Sequence, residues 1–225
     1  RSEFPSDMMT RIRPVLAWQA SGVGSAVDML AFPSAAYGKM AGEYFYGYAG
    51  APYFNMGDKQ STEGLTVDQV VTALAGQVKT ASKDYYYEWN VMLARKYNMQ
   101  FISYEGGPDT AHANGGSLEA KAGANRDSRM FDMCKDYLND WAAAGGGLFM
   151  WFHSGAGAWN ARFGSWPLTE FISDTQGPKI RCMSWAATTP APSLNLRHNV
   201  GQTIDMAMAA EGDSETARLW WTPGA

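Results

Sequence analysis

The sequence has few of the residues that several common kinds of functional site require. It contains two cysteines and three histidines in 225 residues, and the histidines lack the spacing of metal ligands. No run of lysine or arginine occurs and the formal net charge is −4, which argues against nucleic acid as the main partner. No apolar stretch approaches the length of a membrane span. The glycine-rich dinucleotide and nucleotide motifs and the Gly-x-Ser-x-Gly elbow are also missing, so we predict neither a cofactor nor a metal.

The two cysteines, Cys134 and Cys182, are too few to define a disulfide framework. They are as readily interpreted as two buried free thiols as a single pair. The redox environment of the protein therefore stays open at this point.

The chain is nonetheless well supplied with residues that build a core. Hydrophobic residues make up 46% and charged residues 18%, which is typical of a globular protein. Nine Trp, eleven Tyr and ten Phe occur, and several lie beside glycines in predicted loops. Aromatic rings in such places suit either a carbohydrate site, where they stack on sugar rings, or an ordinary aromatic core.

Strand-like and helix-like segments alternate along the chain, which predicts an α/β fold with a parallel sheet. We expect strands near 14–19, 46–53, 100–105 and 148–152, with helices beginning at Thr66, after Asp127 and at Pro178. Residues 106–127 are predicted to be a long loop. The domain boundary is expected after residue 187, so that 188–225 form a linker and tail, in which the alternating patch 202–206 could open a small β module.

Four strands are half of the eight that close a (β/α)₈ barrel of about 250 residues. Half a barrel would leave two apolar strand edges unpaired, and such edges are normally covered. We therefore expect an N-terminal barrel half, a partner chain or a second copy to cover them, and we expect the chain to begin inside a longer protein.

Glu105 is the residue that stands out most in this pattern. It ends the apolar segment 100–104 and is followed by a glycine pair and a polar loop. A parallel strand delivers a single acid in this way to the edge of an α/β sheet where active sites lie. A surface glutamate at a strand end is the alternative interpretation.

The predicted strands carry a family resemblance in their order and spacing. The chain resembles the clan A glycoside hydrolases, which are retaining enzymes on a (β/α)₈ barrel. Four segments resemble strands five to eight of that barrel: 13–19, 51–54, 102–107 and 149–152. A segment that follows strand eight in such barrels resembles residues 163–168. The resemblance covers roughly residues 1–187 and implies the C-terminal half of the barrel. It implies that Glu105 is the nucleophile, that Tyr53 lies beside it and that Trp151 forms the floor of a sugar site. We expect the Tyr53 hydroxyl to donate a hydrogen bond to the Glu105 carboxylate.

One departure from the family affects the chemistry. The family's acid/base is a glutamate, usually after asparagine, at the end of strand four, and this chain contains no Asn-Glu pair. Glu88 precedes Trp89-Asn90 within a predicted helix, which is the wrong place. The acid/base is therefore expected on polypeptide outside this chain.

Several further residues are candidates for substrate binding. Trp18 and Gln19 end the first strand, and His153 and Trp166 follow the fourth. Each has a simpler alternative: a core aromatic for the tryptophans and for Tyr53, a solvent-facing side chain for Gln19, and a surface histidine for His153 and for His112.

Two functions from different classes are consistent with the sequence. The first is a retaining glycosidase that acts on a polysaccharide or oligosaccharide and works outside the cell or in the periplasm. The second is a non-catalytic glycan-binding or structural subunit built on a degenerate barrel. The absence of the acid/base favours the second only if nothing supplies that group.

Overall fold

The computed structural model describes residues 5–83, 86–111, 116–161, 163 and 165–193. Three short strands and six helices form its regular structure, with two 3₁₀ turns at Ala41–Glu43 and Gly57–Ser61. The strands are β1 (Val15–Ala17), β2 (Gly47–Gly50) and β3 (Gln100–Ser103). The helices are α1 (Val23–Tyr37), α2 (Val67–Lys83), α3 (Tyr86–Lys96), α4 (Leu118–Arg126), α5 (Arg129–Ala143) and α6 (Pro178–Thr188).

The three strands form one parallel sheet in the order β1-β2-β3. Leu16 pairs with Tyr48, and Tyr48 pairs with Phe101, so these three residues share one face of the sheet. Strands that follow each other along the chain are neighbours and are connected by helices, which is the arrangement of βα units. The prediction of an α/β fold with a parallel sheet is confirmed.

The predicted fourth strand, 148–152, is reduced to one parallel bridge between Ser103 and Phe149. The Gly147 N–H donates to the Phe101 carbonyl at 2.8 Å, and the Ser103 N–H donates to the Leu148 carbonyl at 2.9 Å. The segment thus runs parallel beside β3 without extending into a regular strand. Its outer side has no strand partner within the described residues, so only one side can hold it in an extended conformation.

The other predicted strands are longer than the observed ones at their carboxyl ends. The chain turns after Gly50, where the Tyr53 N–H donates to the Ala51 carbonyl at 2.9 Å. Pairing resumes as a single bridge between Phe54 and Pro108. Tyr53 therefore lies in a turn between two paired points rather than at the end of a strand.

The segment predicted as a loop over 106–127 contains α4. The helix was missed because its buried side includes Lys121 and Asn125 beside alanines, which leaves no apolar stripe. The Lys121 Nζ donates to the Gln60 carbonyl at 2.7 Å, so this buried ammonium group is paired with the backbone. Asp127 then accepts the Arg129 N–H at 2.9 Å just before α5, whose N-cap position is Ser128, a residue that makes no side-chain capping bond.

The core lies between the sheet and helices α2, α3 and α5. Tyr48 and Phe101 face this layer, and the Tyr48 hydroxyl donates to the buried Asn90 Oδ1 at 2.9 Å. Asn90 Nδ2 donates in turn to the Ala20 carbonyl at 2.9 Å. A single side chain on α3 thereby joins β2 to the segment that follows β1.

The opposite face of the sheet is apolar but open at both ends. Ala49 and Ile102 are buried in the middle of this face. Val15 at one edge is 40% exposed, and Leu148 and Met150 at the other are 58% and 49% exposed. Within the described chain, no strand pairs with the outer side of β1 or of the Phe149 segment. The prediction that other polypeptide covers these edges stays a prediction.

The last helix, α6, packs on α5 and holds the loop that precedes it. Cys134 and Cys182 are buried free thiols, one on each of these helices. The buried Lys179 donates to the Ser165 carbonyl at 2.6 Å and lies 4.4 Å from the centre of the Trp159 ring, and burial lowers the pKa of its ammonium group to about 7. Residues 194–225, with the alternating patch 202–206, lie outside the described residues.

Two glycines allow a matched test of this packing. A Cβ on Gly42 would lie 2.4 Å from the Tyr97 carbonyl oxygen, whereas a Cβ on Gly76, in the middle of α2, would meet nothing within 4 Å. We expect Gly42→Ala to lower the free energy of unfolding by roughly 1–3 kcal/mol. Gly76→Ala should raise it by about 0.5–1 kcal/mol, because alanine is the better helix former. Urea denaturation of the two variants measures both values, and equal effects would contradict the packing of Gly42 on the backbone of residue 97.

Candidate functional site

The candidate site lies at the carboxyl edge of the parallel sheet. Glu105 follows β3, Tyr53 follows β2, and Trp151 comes two residues after Phe149 in the 148–152 segment that runs beside β3. Because the strands are parallel, these three positions lie at the same edge. Glu105 is partly exposed, and the Ser103 hydroxyl donates to its backbone carbonyl at 2.8 Å, so the chain is held at the point where it leaves the strand.

Tyr53 lies close enough to Glu105 for the charge of that carboxylate to affect the pKa of its phenol. Burial is the largest cause that raises the pKa of Tyr53 above its usual range, and the negative charges of Glu105 and Asp109 raise it further. The neutral phenol is therefore the form present at every physiological pH, and it can donate a hydrogen bond. No hydrogen bond joins Tyr53 to Glu105 in the described structure, so the predicted donation to Glu105 stays a prediction.

Trp151 packs directly against the loop that leaves Glu105. A Cβ on Gly107 would lie 3.0 Å from Cε2 of Trp151, and Gly107 has φ of 131°, a backbone conformation that side chains rarely adopt. The indole also makes edge contacts with Tyr137, with ring centres 6.4 Å apart. Its Nε1–H is buried and has no hydrogen-bond partner among the residues that the structure describes. A tryptophan held in this way presents a fixed aromatic surface beside the candidate acid.

His153 and Trp166 lie in the loop that follows the Phe149 segment. His153 Nδ1 accepts the Gly155 N–H at 3.1 Å, and the ring borders a cavity of about 460 Å³ together with Phe163 and Pro167. Trp166 is stacked with Phe163, with ring centres 6.1 Å apart. Its indole N–H donates to Asp109 Oδ1 at 3.0 Å, so this loop is fastened to the loop after β3.

Trp18 and Gln19 lie at the same edge of the sheet, at the end of β1. Both are exposed, and 43% of the Trp18 surface is accessible. The backbone here is held by the Trp18 N–H, which donates to the Ala49 carbonyl at 2.9 Å. The described contacts do not connect either side chain to Glu105, Tyr53 or Trp151. The structure therefore leaves these two side chains on the open edge of the sheet, without a described contact to Glu105, Tyr53 or Trp151.

Asp109 is the residue of this region whose importance the sequence did not reveal. It stabilises a turn, because its Oδ1 accepts the Ala111 N–H at 2.9 Å. It also accepts Trp166, and Gln60 Nε2 donates to the Asp109 carbonyl at 3.0 Å and to the Ala111 carbonyl at 2.6 Å. Gln60 and Trp166 are 49 and 57 residues away in the chain, so no local spacing could have indicated this cluster.

Tyr104 is a second residue that the sequence left unassigned. It is 40% exposed and precedes Glu105, and the pKa of its phenol is raised by burial and then by the charge of Glu105. Glu105 thus has two neutral phenols near it, Tyr104 directly before it in the chain and Tyr53 in the turn that follows β2. A partly exposed carboxylate beside phenols and an indole is suited to binding or attacking a neutral polar ligand.

Other kinds of site find no support in the described ranges. They contain no group of three or more His, Cys, Asp or Glu placed to hold a metal ion, and no helix long and apolar enough to cross a membrane. His112, a candidate for binding hydroxyl groups, lies outside the residues that the structure describes. No protein-family model matches this chain, and neither a curated protein nor a solved structure matches it significantly.

The first prediction for this region concerns Gly107. We expect Gly107→Ala to lower the free energy of unfolding by about 1–3 kcal/mol, because alanine is strained at this φ and its methyl group meets the Trp151 ring. The tryptophan emission spectrum should change as the Trp151 indole is displaced. Gly76→Ala, the matched control, should leave the emission unchanged. An unchanged spectrum in both variants would contradict the packing of Trp151 on this loop.

The second prediction concerns Asp109. Burial raises the pKa of its carboxyl group from 3.8, and this outweighs the N–H groups of Ala111 and Trp166 and the charge of Lys121. The folded state therefore binds the proton more tightly than the unfolded chain, and the stability that this contributes is lost as the pH rises through the raised pKa. Asp109→Asn removes this loss while keeping the acceptor oxygen.

The stability of Asp109→Asn relative to the native protein should accordingly increase as the pH rises above the ordinary carboxyl range of about 4. Thermal or urea denaturation at a series of pH values measures the difference. Asp58→Asn, in an exposed 3₁₀ turn, is the control. A difference that falls with pH would mean that Asp109 is stabilised as the anion.

Proposed function

We propose that this chain carries the nucleophile side of a retaining glycoside hydrolase that acts on a polysaccharide or oligosaccharide outside the cell or in the periplasm. The observation that carries the proposal is the position of Glu105, which follows a parallel strand at the carboxyl edge of the sheet, with Tyr53 and Trp151 beside it. The order of these three residues on successive strands is also the order that the family resemblance implies.

In this mechanism the Glu105 carboxylate attacks the anomeric carbon while the bond to the glycosidic oxygen breaks and an acid protonates that oxygen. Water, deprotonated by the same group, then cleaves the glycosyl–enzyme ester and releases the carboxylate. Tyr53, neutral at physiological pH, is a donor that can stabilise the carboxylate when it leaves again in the second step. Trp151 supplies a flat apolar surface for the sugar ring. The hydrogen bond from the Trp166 indole to Asp109 holds the loop after β3 in place.

The proton donor must come from elsewhere. Retaining enzymes place the acid/base about 5–5.5 Å from the nucleophile. Asp109, the other carboxyl group that acts on Tyr53, is already bonded to Trp166 and to the Ala111 backbone. We therefore assign the acid/base to polypeptide that completes the sheet, in a complete (β/α)₈ barrel of which this chain forms one half.

Trapping the covalent intermediate tests the role of Glu105. Dinitrophenyl 2-deoxy-2-fluoroglycosides have a leaving group that needs no protonation, and the fluorine slows the second step, so the ester accumulates. With a panel of such sugars we expect one equivalent of dinitrophenol and a mass increase on the peptide that contains Glu105. A label on another carboxylate would contradict the assignment.

The variant Glu105→Gln should form no ester and should lower polysaccharide hydrolysis by the assembled protein at least about a thousandfold. Its fold and sugar binding should persist, because the amide keeps the shape of the carboxylate. Glu119→Gln is the matched control, since Glu119 is exposed on α4 and bonds only at the surface to Asn160. Hydrolysis at the native rate by Glu105→Gln would rule Glu105 out as the nucleophile.

A second candidate function is a non-catalytic glycan-binding or structural subunit. The observation that favours it is the lack of a free second carboxyl group beside Glu105 in the described chain. It predicts that the assembled native protein binds polysaccharide, forms no ester with the activated sugars and cleaves nothing.

A further inference from the structure

Two buried thiols lie together between the last two helices of the described chain. Cys134 on α5 and Cys182 on α6 are fully buried, and the first thiol is in hydrogen-bonding contact with the second. These are the only cysteines in the sequence, so no third cysteine of this chain competes for either of them. A disulfide forms only between side chains that approach each other closely, and this thiol pair meets that first condition.

Contacts on either side of the thiol pair define how the two helices are aligned. The Arg181 guanidinium lies 5.1 Å from the centre of the Phe131 ring, and Lys135 Nζ lies 6.0 Å from the centre of the Trp185 ring. The earlier residue of α5 meets the earlier residue of α6, and the later meets the later, so the helices run in the same direction. The thiol pair lies between these two contacts, and helix packing therefore holds the thiols opposite each other.

A buried amine lies beside the thiol pair. Lys179 precedes Cys182 by one helical turn, so both side chains lie on the same face of α6. Lys179 is fully buried, and its charge acts on Cys134. Because burial lowers the pKa of the Lys179 amine to about 7, a large part of it is uncharged at neutral pH and can accept a proton. A neighbouring base favours the thiolate, which is the reactive form of cysteine.

The packed thiols are nevertheless protected from reagents. Burial is the largest cause that raises the pKa of Cys134, and it outweighs the charge of Lys179, so this thiol stays protonated while α6 is in place. Helix α6 packs on α5 and α4 and is the last helix of the described chain. A reagent therefore reaches the thiols while the chain folds, or when α6 separates from α5.

Helix α6 also holds a loop that reaches the candidate site. Lys179 Nζ donates to the Ser165 carbonyl at 2.6 Å, and Ser165 Oγ accepts the Thr110 N–H at 3.2 Å. Thr110 comes directly after Asp109 in the loop that follows β3. A covalent bond between α5 and α6 would therefore also restrain this loop.

We propose that Cys134 and Cys182 are a redox pair that forms a disulfide between α5 and α6 by exchange with a low-molecular-weight disulfide of the glutathione type. One cysteine thiolate attacks the small disulfide, breaks its S–S bond and releases one small thiol, which leaves a mixed disulfide on the protein. The second thiolate attacks the protein sulfur of this mixed disulfide and releases the other small thiol. The two cysteines are oxidised, the small disulfide is reduced to two thiols, and the two cysteine protons end on those thiols. This inference does not depend on the proposed glycosidase activity.

Equilibration in redox buffers tests the pair. The native protein is incubated in glutathione buffers of increasing oxidised fraction, in mild urea so that α6 opens, and equilibrium is approached from both the reduced and the oxidised protein. Remaining thiols are alkylated in strong denaturant and the peptides are identified by mass. We expect Cys134 and Cys182 to lose alkylation together and to appear in one linked peptide. Free thiols at every buffer ratio, stable glutathione adducts, or a link to a different cysteine would each overturn the proposal.

The cross-link should also raise the thermal stability. Because it closes a loop of about 50 residues in the unfolded chain, we expect a melting temperature at least about 5 °C higher in the oxidised buffer than in the reduced one. Cys134→Ala and Cys182→Ala are each compared with themselves in the two buffers, so any loss of packing cancels, and neither should show the shift. A shift in either variant equal to that of the native protein would overturn the proposal.

Amide hydrogen exchange tests the connection to the loop. The Thr110 N–H should exchange at least about tenfold more slowly in the oxidised protein, because separation of α6 from α5 releases its acceptor. The Gly38 N–H, which donates to the Ser34 carbonyl at the end of α1, is the control and should exchange equally in both forms. Equal exchange of Thr110 in the two forms would mean that the disulfide does not restrain the loop beside the candidate site.

Discussion

The aromatic contacts of helix α5 determine where the carboxyl ends of the strands lie. Tyr137 packs on Phe54, after β2, and on Phe149 and Trp151, in the fourth segment, and its hydroxyl donates to the Pro52 carbonyl. Trp141, one turn later, packs on Phe101 of β3. One helix therefore holds three neighbouring segments at once. Each aromatic pair contributes about 0.5–1.5 kcal/mol beyond its buried area, so the cluster is a substantial part of the stability of the core.

The same contacts explain why Gly106 and Gly107 follow Glu105. A Cβ on Gly106 would lie 2.7 Å from the Phe149 ring and 2.9 Å from the Tyr137 hydroxyl oxygen, and Gly107 lies against Trp151. The backbone passes so close to these rings that only glycine fits. The glycine pair, which from the sequence was one mark of a strand end, is required because the aromatic cluster reaches the edge of the sheet at the place where Glu105 leaves it.

The sequence was a good guide where a single periodic pattern decides the structure. The apolar segments that became β1, β2 and β3, and the spacing of Val70, Val71, Leu74 and Val78 on α2, led to a parallel sheet connected by helices. It was a poor guide where partners far apart in the chain decide. Lys121 is buried on α4 because it donates a hydrogen bond to the Gln60 carbonyl, and the predicted fourth strand is reduced to one bridge because its outer side has no strand partner within the described residues.

The same distinction, between local patterns and partners far apart in the chain, applies to the residues of the candidate site. Glu105, Tyr53 and Trp151 could be grouped from the sequence, because the carboxyl ends of parallel strands meet at one edge and each residue follows its own strand. Asp109 could not, because its place depends on Gln60 and Trp166, which reach it from other loops. The exposure of Phe32 and Tyr37 on α1 could not be predicted either, because aromatic residues in a helix are expected in the core and only the structure shows these two exposed.

These features have a common physical consequence for the chemistry that we propose. The helix-facing side of the sheet is complete: it contains the aromatic cluster, the Asn90 cross-link and the Lys121 contact, and these hold Glu105 in place. Among the described residues, the two ends of the opposite face and both outer edges are apolar and open, with Val15 and Met150 about half exposed. A carboxylate nucleophile gains from a site that excludes water, because its interactions with donors strengthen as the local dielectric falls. Covering the open face would therefore do two things at once: it would bury the apolar edges, and it would enclose Glu105 beside the group that gives up the proton. On this argument, assembly and catalysis depend on the same surface.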